Sequence, residues 1–334
     1  MNFNNNFKLL TLVAALQVSF ISSSYAASFT VASGTTETNK QTLSNLDLGT
    51  VEAGGTLTTS GSNDAVEVGN GVSTLVNDGI ISQTGTGNAI DTASATPVFI
   101  LENRGLIGAV GGSTIKLDVN GTYILSNSGV ITQTGTSGFG IDVEDKTPNI
   151  IINKAGAEIY GQSTGILLDD GANGTISNNP ATARDTGSTT GATARIYNEG
   201  SIIGERKTAI GLVGDYADLL VNYATGVIEG GPDAMRVDEL GSTTPAAAVQ
   251  MGGGNDILIN YGLITGHNGK AIDLGAGDDL LRLFGGKVNG TIDGGTGNNT
   301  LETAGTQFFA RGDLQNIQNI NITSVTPRLV EIWM

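Results

Sequence analysis

Apolar and polar residues alternate in short runs along most of the chain, and Gly or Asn interrupts each run. Examples are TYILSN from Thr122, GVITQ from Gly129 and GIDV from Gly140. A period of two is typical of β-strands, and these runs do not follow the 3.6-residue period of a helix. The pattern therefore predicts many short strands separated by tight turns.

These runs recur with a nearly fixed period. An Asn closes one run in each unit, and neighbouring members of this set lie 24–26 residues apart except at two gaps of 45 and 38. The set is Asn77, Asn103, Asn127, Asn153, Asn198, Asn222 and Asn260. An apolar residue follows each Asn by 12–14 residues: Ile90, Ile115, Ile141, Ile166, Ile210, Met235 and Ile272. Two sets in phase predict stacked repeats.

A unit of this length with two or three strands predicts one coil of a parallel β-helix. The fold class is therefore all-β, a single right-handed parallel β-helix (β-solenoid) of about nine to eleven coils. We assign residues 27–50 to an N-terminal cap, 51–322 to the β-helix and 323–334 to a C-terminal tail. The two long gaps predict loop insertions at 171–192 and 239–253.

The recurring Asn is interpreted as a structural residue. Asn tolerates the left-handed backbone that a turn between strands can require. In a stack of coils, its amide group can also donate to and accept from the Asn one coil away. Both properties predict a column of Asn side chains along one corner of the fold.

The first 26 residues predict a secretory signal peptide. Lys8 precedes an apolar run from Leu9 to Ile21, and Ser24 and Ala26 are small residues at the positions that a signal peptidase reads. The chain has no Cys, so disulfides do not stabilise it. Its net charge of −16 argues against a nucleic-acid partner.

With these features, one segment resembles a known family. AIDLGAGDDLLRLFGGKVNGTIDGGTGNNTLETAGT from Ala271, followed by GDLQNIQNINI, is similar to the C-terminal stem of a bacterial autotransporter passenger (type V secretion). The resemblance implies an exported β-helix associated with the outer membrane. In that family a translocator β-barrel follows the passenger. The chain ends at TPRLVEIWM without one, so either the barrel was lost by truncation, or it is on another chain, or the passenger stands alone.

Three Gly/Asp turns raise the question of calcium. GGGNDIL, GAGDDLL and GGTGNNTL begin at Gly252, Gly275 and Gly294, and each resembles half of a calcium-roll nonapeptide. A calcium roll repeats every nine residues, whereas these begin 23 and 19 residues apart, and Asn299 replaces the Asp. We interpret them as structural turns without a metal or other cofactor. Calcium binding at Asp256 and Asp279 is the alternative.

A row of acidic residues is a second candidate site. The residues three positions after the second repeat marker include Asp118, Glu144, Asp169 and Asp238. A solvated edge is the favoured interpretation, and an ion site or the acidic cleft of a polysaccharide lyase or glycosidase are the alternatives.

Other motifs do not indicate catalysis. His267, the only His, lies in an expected exposed turn, and neither the Gly-Asp-Ser-Gly turn of a serine protease nor a GxSxG elbow occurs. We interpret the tripeptide Arg311-Gly312-Asp313 as a coincidence in a Gly-rich chain.

The sequence thus predicts a secreted or surface-exposed protein without catalytic residues, either an adhesin or a surface-display protein. Its partner would be a ligand on a host or neighbouring cell, bound by loops on a rigid scaffold. A carbohydrate-active enzyme on the same scaffold is the alternative.

Overall fold

A computed structural model describes residues 27–92, 97–117, 121–136, 138–144, 149–169, 194–233, 245–304 and 309–324. Within these residues every regular element is a β-strand, and every pairing between strands is parallel. The predicted all-β parallel β-helix is confirmed.

The strands are numbered in chain order. The first part of the chain forms β1 (Ala27–Val31), β2 (Thr36–Glu37), β3 (Gln41–Leu43), β4 (Asp47–Val51), β5 (Thr56–Thr59), β6 (Val66–Val68), β7 (Gly71–Asn77), β8 (Ile80–Gln83), β9 (Ile90–Thr92), β10 (Pro97–Asn103), β11 (Leu106–Ala109) and β12 (Ile115–Leu117). The middle forms β13 (Thr122–Asn127), β14 (Val130–Gln133), β15 (Phe139–Val143), β16 (Asn149–Asn153), β17 (Glu158–Gly161), β18 (Thr164–Asp169), β19 (Arg195–Asn198), β20 (Ser201–Gly204), β21 (Ile210–Val213), β22 (Leu219–Asn222), β23 (Val227–Gly230) and β24 (Val249–Gln250). The last part forms β25 (Ile257–Asn260), β26 (Leu263–Asp273), β27 (Leu280–Phe284), β28 (Lys287–Asp293), β29 (Thr300–Ala304), β30 (Leu314–Gln315) and β31 (Asn319–Ser324).

Three ladders of strands run along the coils. The first face is the twelve-stranded sheet β1-β4-β7-β10-β13-β16-β19-β22-β25-β27-β29-β31. The second face starts with β2-β5-β8 and the third with β3-β6-β9; both continue coil by coil until β26 and β28 contribute to both faces. Among the described residues, ten coils have a strand on every face, an eleventh contributes β29 and β30, and β31 begins a twelfth, which agrees with the predicted nine to eleven coils. At about 4.8 Å per coil, the described part is about 50 Å long.

Aliphatic side chains of equal register fill the interior. The first face contributes a column from Leu75 through Leu101 and Leu125 to Leu301, and the second a column from Leu57 through Ile81 to Ile264. On the third face the column runs through Ile90, Ile115, Ile141, Ile166 and Ile210. These inward residues are almost entirely buried, because each strand turns alternate side chains into the coil.

One expectation about this third column was wrong. Ile210 pairs with Val249, and Val249 pairs with Ile272, so Val249 occupies the position that the sequence pattern assigned to Met235. Residues 249 and 250, which were included in the predicted insertion 239–253, form β24. The extra sequence therefore enters between the second and third strands of its coil. Counting residues from the preceding Asn could not reveal this, because it assumed that the insertion follows the third strand. Met235 itself lies outside the described residues.

The assigned N-terminal segment 27–50 already follows the coil pattern. Its strands β1, β2 and β3 pair in parallel with β4, β5 and β6. The predicted insertion 171–192, the signal segment 1–26 and residues 325–334 of the predicted tail lie outside the described residues.

Candidate functional site

A continuous column of Asn side chains, which we call the Asn ladder, lies at the corner between the first and second faces. Each Asn is the last residue of a first-face strand, from β7 to β25. The Nδ2 group of Asn77 donates to Oδ1 of Asn103 at 2.8 Å, and Asn103 donates to Asn127 at 2.7 Å. The series continues through Asn153, Asn198, Asn222 and Asn260 at 2.8–2.9 Å. All seven are buried, which confirms the predicted Asn column.

The second hydrogen of each amide group ties the corner to the next coil. Nδ2 of Asn127 also donates to the carbonyl oxygen of Glu158, and Nδ2 of Asn153 to that of Ser201, both at the start of second-face strands. The amides therefore satisfy backbone carbonyls where the chain leaves one face for another. The other reason predicted for Asn was wrong: the non-glycine residues with positive φ in the described chain are Leu46 and Asn316.

A second, acidic column lies at the corner between the third and first faces. Each member directly precedes a first-face strand and accepts from the backbone N–H of the equivalent residue one coil earlier. Oδ1 of Asp256 accepts from the N–H of Asp218 at 2.8 Å, and Oδ1 of Asp279 from that of Asp256 at 2.9 Å. Asn299 and Gln318 continue the series at 3.0 Å and 2.7 Å. We call the set Asp218, Asp256, Asp279, Asn299 and Gln318 the acid ladder.

Glycine turns allow the acid ladder to stack so closely. The three Gly/Asp turns lie directly above one another, joined by bridges from Gly253 to Ala276 and from Ala276 to Thr296. Gly277 has φ +141°, and a Cβ atom there would lie 1.6 Å from the carbonyl oxygen of Gly254. A side chain cannot occupy that position without moving the backbone. The interpretation of these segments as stacked turns is therefore confirmed.

Burial changes the protonation of the acid ladder. Desolvation raises the pKa of Asp218 to about 7, although the N–H of Ala194 bonded to its carboxylate opposes this shift. Desolvation likewise raises the pKa of Asp279 to about 6; the bond from Asp256 opposes it, and the charges of Asp278 and Asp273 add to it. The side chain of Asp279 is 2% exposed, and its Oδ2 accepts no hydrogen bond. At neutral pH an ionised carboxylate in the acid ladder is therefore destabilising, because burial removes the water that would solvate its charge.

The structure places the calcium candidates inside this ladder. Asp256 and Asp279 each direct Oδ1 to a backbone N–H, so these oxygens act as structural acceptors. Within the described residues, no group of three or more His, Cys, Asp or Glu side chains is arranged to hold a metal ion.

The predicted row of acidic residues is described only in part. Asp118 and Asp238 lie outside the described residues. Asp169 ends β18, and Glu144 directly follows β15, beside it in register. The sequence analysis missed Asp142, a buried carboxylate on β15 that accepts from Ser113 Oγ at 3.2 Å and pairs in register with Lys116. In the sequence, Asp142 is marked only by its outward position in a third-face strand. Acidic residues are common at such positions, so this alone could not single it out.

His267 and the Arg-Gly-Asp tripeptide lie on the surface. His267 is an exposed member of strand β26 rather than of a turn, with Nε2 3.6 Å from Glu229 Oε2. Arg311 and Gly312 form an exposed turn closed by the N–H of Asp313 donating to the carbonyl oxygen of Ala310 at 3.1 Å.

Comparisons with known proteins identify no relative. No protein-family model, no curated protein and no solved structure matches the chain. In the part of the chain that the structure describes, no helix has the length and apolar character needed to cross a membrane.

Proposed function

We propose that the chain is a secreted or surface-exposed β-helix of the autotransporter-passenger type, which acts as an adhesin or display scaffold. In this proposal residues 1–26 direct export, and the partner is a ligand on a host or neighbouring cell. Binding resides in the inserted segments rather than in a catalytic cleft. An outer-membrane barrel on another chain would hold the protein at the surface.

The observation that carries this proposal is how the scaffold accommodates extra sequence. Asn153 and Asn198 are 45 residues apart, yet their side chains bond at 2.9 Å, as do those of neighbours 24 or 26 residues apart. Asn222 and Asn260 bond at 2.8 Å across 38 residues. Insertions at two places thus leave the stacking unchanged, which suits a scaffold whose variable parts serve recognition.

Deletion of the inserted segments tests the display role. A variant without residues 171–192 should keep the melting temperature of the parent but lose most of its binding to a panel of cells. A control variant deletes the ten C-terminal residues 325–334, which follow β31, and should keep its cell binding. Full cell binding by the first variant would contradict the proposal. Amino-terminal sequencing of the exported protein should begin at Ala27, and retention in the cytoplasm would contradict export.

The enzyme alternative has its own measurement. Incubation with pectin-like and capsular polysaccharides should release no unsaturated or reducing sugar ends. Release that disappears on replacing Asp142 or Glu144 would make the chain a carbohydrate-active enzyme and overturn the proposed function.

A further inference from the structure

A column of aromatic side chains lies on the outside of the corner that holds the Asn ladder. Tyr223 and Tyr261 each directly follow a member of the ladder, and Phe284 holds the same position one coil later. The Asn side chains point inward, so the next residue along the chain points to solvent. Tyr261 is 39% exposed, and Tyr223 and Phe284 are partly exposed. The rings of Tyr261 and Phe284 form a pair with centroids 5.9 Å apart and planes tilted by 52°.

Tyr197 widens this column toward the first face. It points outward from β19, and Val221 is its register neighbour on β22. Val221 also points outward but is only 7% exposed, so the surrounding side chains cover it and it forms an apolar floor. Burial raises the pKa of the Tyr223 phenol, and the nearby Tyr197 and Glu199 groups raise it further, so these side chains share one patch. We call Tyr197, Tyr223, Tyr261 and Phe284 the aromatic platform.

The protein itself does not use the polar atoms of the aromatic platform. In the described part of the chain, the hydroxyl groups of Tyr197, Tyr223 and Tyr261 form no hydrogen bond. The hydroxyl group of Tyr160 on the second face, by contrast, donates to Oε1 of Gln162 at 3.1 Å. Partly buried phenols usually have a hydrogen-bond partner. The platform therefore presents apolar ring faces beside donors and acceptors that remain available to a ligand.

Charged side chains of both signs border the aromatic platform. Glu199 and Lys154 hold the position of Tyr223 in the two preceding coils, and Lys287 begins β28 after Phe284. Among the described residues, none of these three charged side chains forms an ion pair. Nucleic acids also stack on aromatic rings, but they require a basic groove, and the chain has a net charge of −16. Mixed charge at the border and unused hydroxyl groups favour a ligand that is polar and uncharged.

We propose that the aromatic platform binds an extended chain of neutral sugars along the axis of the rod. The C–H face of a pyranose ring is apolar and its hydroxyl groups lie around the edge. Such a ring packs on an aromatic face while its hydroxyl groups bond to phenols and to charged groups beside them. Coils follow one another at about 4.8 Å, which is close to the length of one sugar unit in an extended polysaccharide. Rings on consecutive coils therefore meet consecutive sugars.

This site goes beyond the proposed function, because it lies on the strands and corners of the scaffold rather than in the inserted segments. It gives the β-helix a ligand of its own, whether or not the insertions recognise a cell. Deletion of residues 171–192 should therefore leave sugar binding intact. Loss of cell binding in that deletion and loss of sugar binding in platform variants are separate results, so either idea can fail alone.

Binding of the full chain to soluble neutral polysaccharides tests this proposal. The probes are hydroxyethylcellulose, xylan and chitin oligomers, measured by affinity electrophoresis and titration calorimetry, and the parent should bind at least one of them. Tyr223→Ala/Tyr261→Ala should weaken that binding by at least ~10-fold, with unchanged far-UV circular dichroism. Tyr223→Phe/Tyr261→Phe keeps the rings and the packing, so it should weaken binding less. The matched control Tyr160→Ala removes a partly exposed ring from the second face and should bind as the parent does.

Three outcomes would overturn the proposal. The first is a folded parent that binds none of the three neutral polysaccharides. The second is equal binding by the parent and by Tyr223→Ala/Tyr261→Ala, which would place the sugar elsewhere on the molecule. The third is binding to polygalacturonate alone, lost in Lys287→Gln, which would make the site one for an acidic polymer held by charge rather than by the rings.

Discussion

The two polar ladders occupy the two ends of the first-face strands, and they solve the same problem with different chemistry. At one corner Asn binds Asn, because a carboxamide donates and accepts and remains neutral when buried. At the other corner Asp can only accept, so each carboxylate depends on a backbone N–H from the preceding coil. The Asn ladder runs through seven coils, whereas the acid ladder contains three Asp before Asn299 and Gln318 replace them. Self-complementary neutral groups can be stacked indefinitely; buried charges cannot.

Removing one member from the middle of the Asn ladder should have the largest effect. Asn153→Ala would remove the acceptor of Asn127 and the donor to Asn198 and to the Ser201 carbonyl. We expect the free energy of unfolding to fall by about 2–4 kcal/mol, since buried polar groups lose their partners. Urea denaturation measures this loss. The neighbouring, partly exposed Lys154→Ala should change it by less than about 0.5 kcal/mol, and equal effects would show that the ladder adds no special stability.

The pH dependence of stability should come from the acid ladder. Asp218 and Asp279 have pKa values raised to about 7 and about 6, so the folded state binds more protons than the unfolded state between roughly pH 4 and 7. The free energy of unfolding should therefore fall as pH rises from 5 to 8, by about 4 kcal/mol if the two contributions add.

Below that window the sign reverses. Arg104 lowers the pKa of Asp78, so that ion pair contributes stability above roughly pH 4 and loses it on further acidification. Urea titrations at several pH values should thus show a maximum near pH 5. A maximum at pH 8 would mean that the acid ladder stays ionised without cost.

One position of the acid ladder already carries Asn instead of Asp, and this suggests a variant that separates the effect of the charge from that of the hydrogen bond. Asn299 holds the position of Asp279 one coil later, and its Nδ2 donates to the carbonyl oxygen of Gly294 at 2.7 Å. Asp279→Asn should therefore keep the acceptor, remove the charge and stabilise the protein at pH 8 by about 1–2 kcal/mol. It should also flatten the pH profile. Asp278→Asn, at an exposed position in the same turn, removes one of the charges that raise the pKa of Asp279 and should therefore stabilise the protein by a smaller amount. Destabilisation by Asp279→Asn would refute the charge argument.

Calcium should have the smallest effect. Because the Oδ1 atoms of Asp256 and Asp279 serve as acceptors of backbone N–H groups, chelation should shift the melting temperature by less than about 1 °C. Differential scanning calorimetry with chelator and with added calcium measures this. If chelation lowered the melting temperature by many degrees, if calcium alone restored it, and if Asp279→Asn showed no such fall, the acid ladder would be a calcium-binding site.

Periodicity predicted the scaffold because each coil repeats the same contacts. The spacing of Asn77, Asn103 and Asn127 placed these residues correctly in one column, since equal chain lengths between coils bring equal positions together. The spacing failed where an insertion changes the chain length within a coil: it assigned Met235 to a position that Val249 occupies.

The acid ladder was recognised as stacked turns at Asp256 and Asp279, but Asp218 was missed because no Gly-rich turn precedes it. The apolar outward residues of the first face, such as Ile150, Ile152 and Ile259, were missed because alternation reveals the inward residues and says little about a face that is apolar on both sides.

The Asn ladder also has a direction. Every amide bond in it points from one coil to the next in the same sense, so the small dipoles of the side chains add along the rod and polarise one another. Its negative end is Oδ1 of Asn77, a buried oxygen without a hydrogen-bond donor, and its positive end is Nδ2 of Asn260. That positive end lies in the coil that begins with Asp256. The Asn ladder is therefore electrically polar along its axis. Val51 holds the position of Asn77 in the preceding coil, so an Asn at residue 51 would supply the donor that Oδ1 of Asn77 lacks.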